Sequence, residues 1–247
     1  MKIVKRIVCI ALTLSMAQAV SMSSYVSAGT TVSAATTTST TTAKTTKITL
    51  SKTTAKLVQG KTITLKATVS PNTSAKITWT SSNKKVVTVD SNGKVKAVAK
   101  GIANVTAKTS DGQTAVCLVT VITKNEAYIE DVIKLTNQER TRNGLSKLTV
   151  NSRLASAAQK RATETSQKLS HTRPNGQSCF TVLKDYNIKY TVAGENIAYN
   201  YYTAAEAMEG WMDSPGHKAN ILNPKFKNIG VGLYEKDGVK YCVQLFI

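Results

Sequence analysis

The chain changes its hydrophobic rhythm along its 247 residues. Over residues 48–50, 62–69, 77–79, 86–89, 95–98, 103–107 and 115–121, apolar positions alternate with Thr, Ser and Lys at a period of two. Pro71-Asn72, Ser91-Asn92-Gly93, Lys100-Gly101 and Asp111-Gly112 punctuate these runs. Short alternating strands separated by turn residues predict a β-sandwich, with Trp79 as its central aromatic.

From Asn125 onward the period becomes helical. Residues 126–142 place Ile129, Val132, Ile133, Leu135 and Thr136 on one face, with Asn125 as N-cap and Gly144 as terminator. A second helix starts after Asn151, carries Leu154, Ala155, Ala158 and Ala162, and ends near Ser170. A short third covers 178–185. Thr203-Ala204-Ala205-Glu206 reads as a capping box opening a helix through Met208 and Trp211. Ser214-Pro215 restarts it, with Ser as cap and Pro at the first helical position. Runs at 229–234 and 239–246 form a hairpin turned by Asp237-Gly238. Helices outside strands make an α/β/α layer arrangement. The expected fold class is α+β: a β-sandwich followed by an α/β/α sandwich.

The first residues belong to neither pattern. Lys2, Lys5 and Arg6 precede the apolar run 7–20, which is short for a bilayer span and is followed by small residues. This predicts a secretory signal peptide over 1–28, cleaved after Val26-Ser27-Ala28, with Val32-Ser33-Ala34 as a second acceptable site and an uncleaved anchor as the alternative. Residues 29–46, almost all Thr, Ala, Ser and Val, cannot bury enough apolar surface to order themselves and read as a linker. The domain plan is therefore signal peptide 1–28, linker 29–46, β-domain 47–122 and a second domain 126–247. No transmembrane segment is expected in the mature chain.

Charge adds a partner class. The formal net charge is +19, and residues 46–126 hold 13 Lys and Arg against 3 acids. An exported basic segment can associate with anionic cell-wall polymers or membrane surfaces. Alternation of those lysines with apolar residues is also what a solvated strand face requires. No Arg cluster interleaves with aromatics, so nucleic acid is not an expected partner. Cys117, Cys179 and Cys242 lie beyond the leader, and an odd number leaves at least one thiol free in a monomer. Cys117 falls on an inward strand position. Cys179 and Cys242 share the second domain, and spacing leaves their pairing open.

The candidate chemistry is compact in sequence. The chain has two histidines, His171 and His217, and they bracket Glu195. All three lie in Gly- or Pro-punctuated, turn-like segments, Glu195 within a Gly194-Glu195-Asn196 turn. Two imidazoles and a carboxylate make a divalent-metal or acid/base set. His217 sits in the first turn of its helix, where the dipole favours the neutral imidazole. Tyr199, Tyr201 and Tyr202 are candidates for a cleft rim, Asn196 and Asn220 for bracing turns, and Gln244 needs a hydrogen-bond partner near the site. G-x-S-x-G and HExxH are absent from the sequence.

Two resemblances follow. Trp79-Thr80-Ser81-Ser82-Asn83, Val87-Thr88-Val89-Asp90-Ser91-Asn92-Gly93-Lys94-Val95 and Val98-Ala99-Lys100-Gly101 resemble the bacterial Ig-like group 2 domain, whose members act as spacers or adhesive units. His171-Thr172-Arg173-Pro174-Asn175-Gly176, Gly194-Glu195-Asn196-Ile197-Ala198, Trp211 through Leu222, and Ile229-Gly230-Val231-Gly232 look like the bacterial branch of the CAP superfamily. That superfamily includes cysteine-rich secretory proteins, antigen 5 and plant pathogenesis-related 1 proteins. The resemblance implies secretion, an α/β/α sandwich with a surface cleft, and two His with two acids that bind divalent metal in some members. His171, Glu195 and His217 match three of those positions; the second acid would fall near Ser214, where Asp213 is the nearest substitute.

The implied cofactor is zinc or another divalent cation, weakly held by His171, His217 and Glu195. No catalytic residue is assigned. Three roles stay open: a surface or extracellular binding protein taking a lipid, peptide or wall fragment; a hydrolase, metal-assisted or using His/Glu as general base; or a set that mainly holds loops together.

Overall fold

The computed structural model describes residues 46–71 and 75–247. The expected signal peptide and all of the linker but Thr46 lie outside the described residues.

The alternating region folds as β1 Lys47–Leu50, β2 Thr54–Val58, β3 Thr62–Thr64, β4 Ala67–Ser70, β5 Ile77–Ser81, β6 Val87–Val89, β7 Lys94–Ala97, β8 Gly101–Thr109 and β9 Thr114–Ile122. They form sheets ordered β2-β9-β8-β5 and β3-β7-β6 with a β1-β4 pair, around a core of Leu65, Val87, Val95, Val105, Cys117 and Val119. The expected single strand 62–69 is split. Ile63, Leu65, Ala67 and Val69 keep one alternation throughout, but β3 pairs with β7 and β4 with β1. At the switch the Leu65 amide donates to the Gly93 carbonyl at 2.9 Å, and the Lys66 amide to Ser51 Oγ at 3.0 Å. β2 was not expected; its Ala55 and Leu57 are only half-buried, and it runs parallel to β9 at a sheet edge. Trp79 is likewise half-buried, on edge strand β5 rather than central. Its ring lies so close to Gly93 that a Cβ there would come within 2.8 Å of Cζ2.

The second region comprises α1 Lys124–Arg142, β10 Thr149–Val150, α2 Ser152–Thr165, α3 Thr181–Asp185, β11 Gly194–Tyr199, α4 Ala204–Asp213, α5 Pro215–Ile221, β12 Asn228–Lys236 and β13 Val239–Phe246. α1 begins earlier than expected: Thr123, not Asn125, is the N-cap, in a reciprocal capping box with Glu126. α2 takes Asn151 as N-cap but stops at Thr165, where the Gln167 amide turns back to the Glu164 carbonyl three residues away instead of four. The capping box at Thr203 and Glu206 opens α4, and Asp237 (φ 53°) with Gly238 (φ 77°) turns the β12-β13 hairpin.

The sheet order is β10-β12-β13-β11, and its two faces are read off β13. Cys242 and Phe246 pack with residues of α1, α4 and α5, whereas Val243 and Leu245 pack with α2 and α3. The α2 layer rests on backbone. A Cβ at Gly230 would lie 2.2 Å from the Leu154 carbonyl carbon, and one at Gly232 2.3 Å from that of Ala158. Glycines two apart on a strand thus meet residues four apart on a helix. Among the described residues no helix is long and apolar enough to cross a membrane.

Candidate functional site

Glu195 organises the site from edge strand β11, where the sequence reading placed a turn. Its side chain is 1% exposed, and both oxygens are occupied. Arg161, reaching up from α2, donates Nε to Oε2 at 2.8 Å and Nη2 to Oε1 at 3.3 Å. His171 meets Oε1 through Nδ1 at 2.8 Å. A carboxylate can only accept, so the proton sits on Nδ1 and the neutral ring keeps its Nε2 lone pair free. The His171 side chain is 58% exposed.

Arg161 extends the network inward. It donates Nη1 to Glu164 at 2.8 Å and Nη2 to the Ser170 carbonyl at 2.8 Å, which fixes the residue before His171. Arg173 grips Glu164 through Nε and Nη2, and reaches Thr181 and Asp185. The loop carrying His171 is closed by pairing of Thr172 with Ser178 and by the Arg173 amide on the Gln177 carbonyl. Arg161, Glu164, Arg173 and Glu195 are all buried. Removing one partner of such a set strands the others without water and typically costs about 3–5 kcal/mol.

His217 arrives from the opposite face of the sheet. It lies in α5, whose cap position is Ser214 with Pro215 following; the Ser214 side chain makes no capping hydrogen bond. Asn196, the neighbour of Glu195 on β11, donates Nδ2 to the His217 carbonyl at 3.2 Å and to Gln244 at 3.0 Å. Asn220 donates to Asn196 Oδ1 at 2.9 Å and to the Glu195 carbonyl at 3.2 Å. The two asparagines therefore tie α5 to the strand. Gln244 completes the line by donating to Thr136 on α1 at 2.8 Å.

The charges differ between the two rings. Glu195 beside Nδ1 holds the His171 pKa above the ordinary imidazole value, against opposition from burial. Burial, then the charge of His171, pushes His217 down. His217 thus favours the neutral form, with burial as the leading cause.

The described residue set whose ligand atoms all lie within 4.8 Å of one another is His171, Cys179 and Glu195. Cys179 occupies the third place that the sequence reading gave to His217. Its thiol is pushed up to about 12 by burial and by Glu195, which makes it a neutral S–H. Cys117, Cys179 and Cys242 are all buried free thiols, so no Cys179–Cys242 bridge forms. Asp213, the expected fourth acid, is exposed and lines a different hollow with Tyr201, Tyr202, Glu206 and Glu209. Of the three rim tyrosines, Tyr201 and Tyr202 border that acidic hollow, whereas Tyr199 packs against Tyr241. A larger hollow of about 770 Å³, lined by residues including Gln59, Val98 and Thr123, contains neither histidine.

Glu195, with both oxygens taken, suits the outer partner that orients a ligating imidazole, not a direct ligand. The free Nε2 of His171 is the nitrogen left open to a ligand, and His217 is not among the residues whose ligand atoms cluster with it. The buried Arg161, Glu164 and Arg173 were not singled out from sequence, although one signal was present: Arg161 falls on the inward stripe of α2 with Leu154, Ala158 and Thr165.

Comparison with known proteins gives these elements a family. Residues 133–246 match the cysteine-rich secretory protein family, CAP, and residues 44–121 match the bacterial Ig-like domain, group 2. The uncharacterized protein YkwD of Bacillus subtilis (strain 168) is 39% identical over 115 residues, 46% of this chain and 45% of that protein. The uncharacterized membrane protein YlbC of the same strain is 33% identical over 120 residues, 48% of this chain and 34% of that protein. The chain thus spans less than half the length of these curated relatives. The crystal structure of an extracellular protein containing an SCP domain from Bacillus anthracis str. Ames aligns over 62% of this chain and 63% of that one, at 20% identity and a TM-score of 0.47. The chain joins a bacterial Ig-like domain of group 2 to a bacterial CAP domain of the cysteine-rich secretory protein family.

Proposed function

We propose that this is an exported binding protein, displayed by its Ig-like domain, in which His171 and His217 present imidazole nitrogen to a divalent cation or to the polar head of a lipid, peptide or wall ligand. The observation that carries this reading is the full engagement of Glu195 by Arg161 and His171. A carboxylate so held is a poor general base toward water, and the nearby Cys179 is kept as a neutral thiol, which is a poor nucleophile. What the site offers outward is a rigidly oriented imidazole. A bound divalent ion would supply Lewis acidity there; Glu195 would hold the His171 tautomer, and Asn196 and Asn220 would hold the helix bearing His217. Export rests on the basic, then apolar, amino-terminal run, and wall association on the positive charge of the chain.

A hydrolytic reading draws on the same His171–Glu195 pair, because an imidazole oriented by a carboxylate is the usual form of a general base. Calorimetric titration of the full chain with zinc separates the two. Heat that disappears in the His171→Ala, His217→Ala double variant supports ion binding, and unchanged heat removes it. Turnover of casein, peptidoglycan or lipid esters that vanishes in His171→Ala would replace the binding reading with the hydrolytic one.

A further inference from the structure

Away from the histidines, two hollows of about 370 and 340 Å³ share Lys189 and Ile247 and so form one elongated depression. Lys225 and Lys227 line one end and Arg153 the other. No Asp or Glu side chain lines either hollow. The main-chain oxygen of Ile247 accepts from the amides of Lys227 and Asn228, at 2.8 and 2.9 Å, which turns it back into the sheet.

Four cations therefore line a concave surface on which no Asp or Glu side chain stands; the one anionic group of the lining is the α-carboxylate of Ile247. Arg153, Lys189, Lys225 and Lys227 have no carboxylate within ion-pair distance among the described residues. Asn151 and Arg153 also bring the start of the 14-residue α2 to the rim, so its positive dipole end adds to the same field. Low-dielectric walls around like charges focus that field onto whatever anion enters.

We infer that this depression binds an extended phosphate-bearing polymer, a phosphodiester chain of the polyol type. The extent favours a chain over a single ion, since both hollows carry cations. Three lysines and one arginine read charge rather than planar shape. Tyr190 is the one aromatic ring on the lining, too little to stack successive bases, which disfavours nucleic acid. The site stands apart from the His171 and His217 reading and does not depend on it.

The test is binding of the full chain to polyglycerol phosphate across a salt series, with oligothymidylate as a second probe. Affinity for polyglycerol phosphate should fall steadily with salt and drop about tenfold in Lys189→Glu, Lys225→Glu. Both side chains are exposed, and an unchanged melting temperature confirms the fold; Lys189→Gln, Lys225→Gln should give a smaller loss. The charge-matched Lys84→Glu, Lys85→Glu variant should bind as the parent does. Equal loss in the charge-matched variant would reduce the effect to net charge and overturn the site. Loss in His171→Ala would move the ligand to the histidines. Tighter binding of oligothymidylate would assign the depression to nucleic acid instead.

Discussion

Glu195 accepts from Arg161 and His171 at once, and that shapes the pH behaviour of the site. His171 is raised by its bond to Glu195, while His217 is lowered by burial and then by His171. A raised imidazole takes up its proton more readily folded than unfolded. Its contribution to stability is complete below the ordinary imidazole pKa and is lost as pH rises through the folded value. A lowered imidazole acts in the opposite sense: it favours the fold at high pH, and that contribution is lost as pH falls through the ordinary value. In the parent protein the two effects fall on opposite sides of the ordinary imidazole value, so their joint contribution is greatest near it. His217→Ala should therefore lose stability as pH rises above the ordinary imidazole value, and His171→Ala as pH falls below it. Denaturant midpoints between about pH 5 and 8 test this, and parallel profiles for the two variants would contradict it.

At the scale of elements, the site depends on how closely α2 approaches the sheet, because Arg161 must reach Glu195 from that helix. Gly232 permits the approach. An added methyl would meet backbone at Ala158, which cannot swing aside as a side chain can. Gly232→Ala should destabilise the domain by about 2–3 kcal/mol or more and bring the His171 pKa back toward the ordinary value. Thermal melts and imidazole NMR report the two effects, and a native melt with an unshifted His171 resonance would contradict the account. The same dependence marks what could be read beforehand. Periodicity located α1, α2, α4 and the β12-β13 hairpin, because their apolar stripes and caps are local. It missed that Gly194-Glu195-Asn196 is a strand, since β11 is held by pairing with β13 nearly fifty residues away. It missed the division of 62–69 because inward alternation continues unbroken across the change of sheet. His171 and Glu195 were legible as chemistry; Arg161, Glu164 and Arg173 were not, because their meaning lies in whom they meet. Cys179 stands beside Glu195 through the folding of the 171–180 loop, which spacing does not encode.

For the whole molecule, the two regions have separate cores. Leu65, Val95, Val105 and Val119 belong to one cluster, while Val132, Trp211, Phe226 and Phe246 belong to another, and no residue is shared. Side chains bridge the regions at the exposed pairs Lys56–Glu130 and Lys100–Glu126. Such pairs are worth about 0–1 kcal/mol and are screened by salt. Thr123 and Glu126 cap α1 with groups from the second region's own start, so the helix does not need the β-domain to begin. Residues 123–247 expressed alone should fold, melt within about 5 °C of the corresponding transition in the full chain, and keep the raised His171 titration. Calorimetry of the full chain should resolve two transitions. A single shared transition, or a fragment without cooperative melting, would mean that the β-domain stabilises the CAP domain rather than acting only to display it.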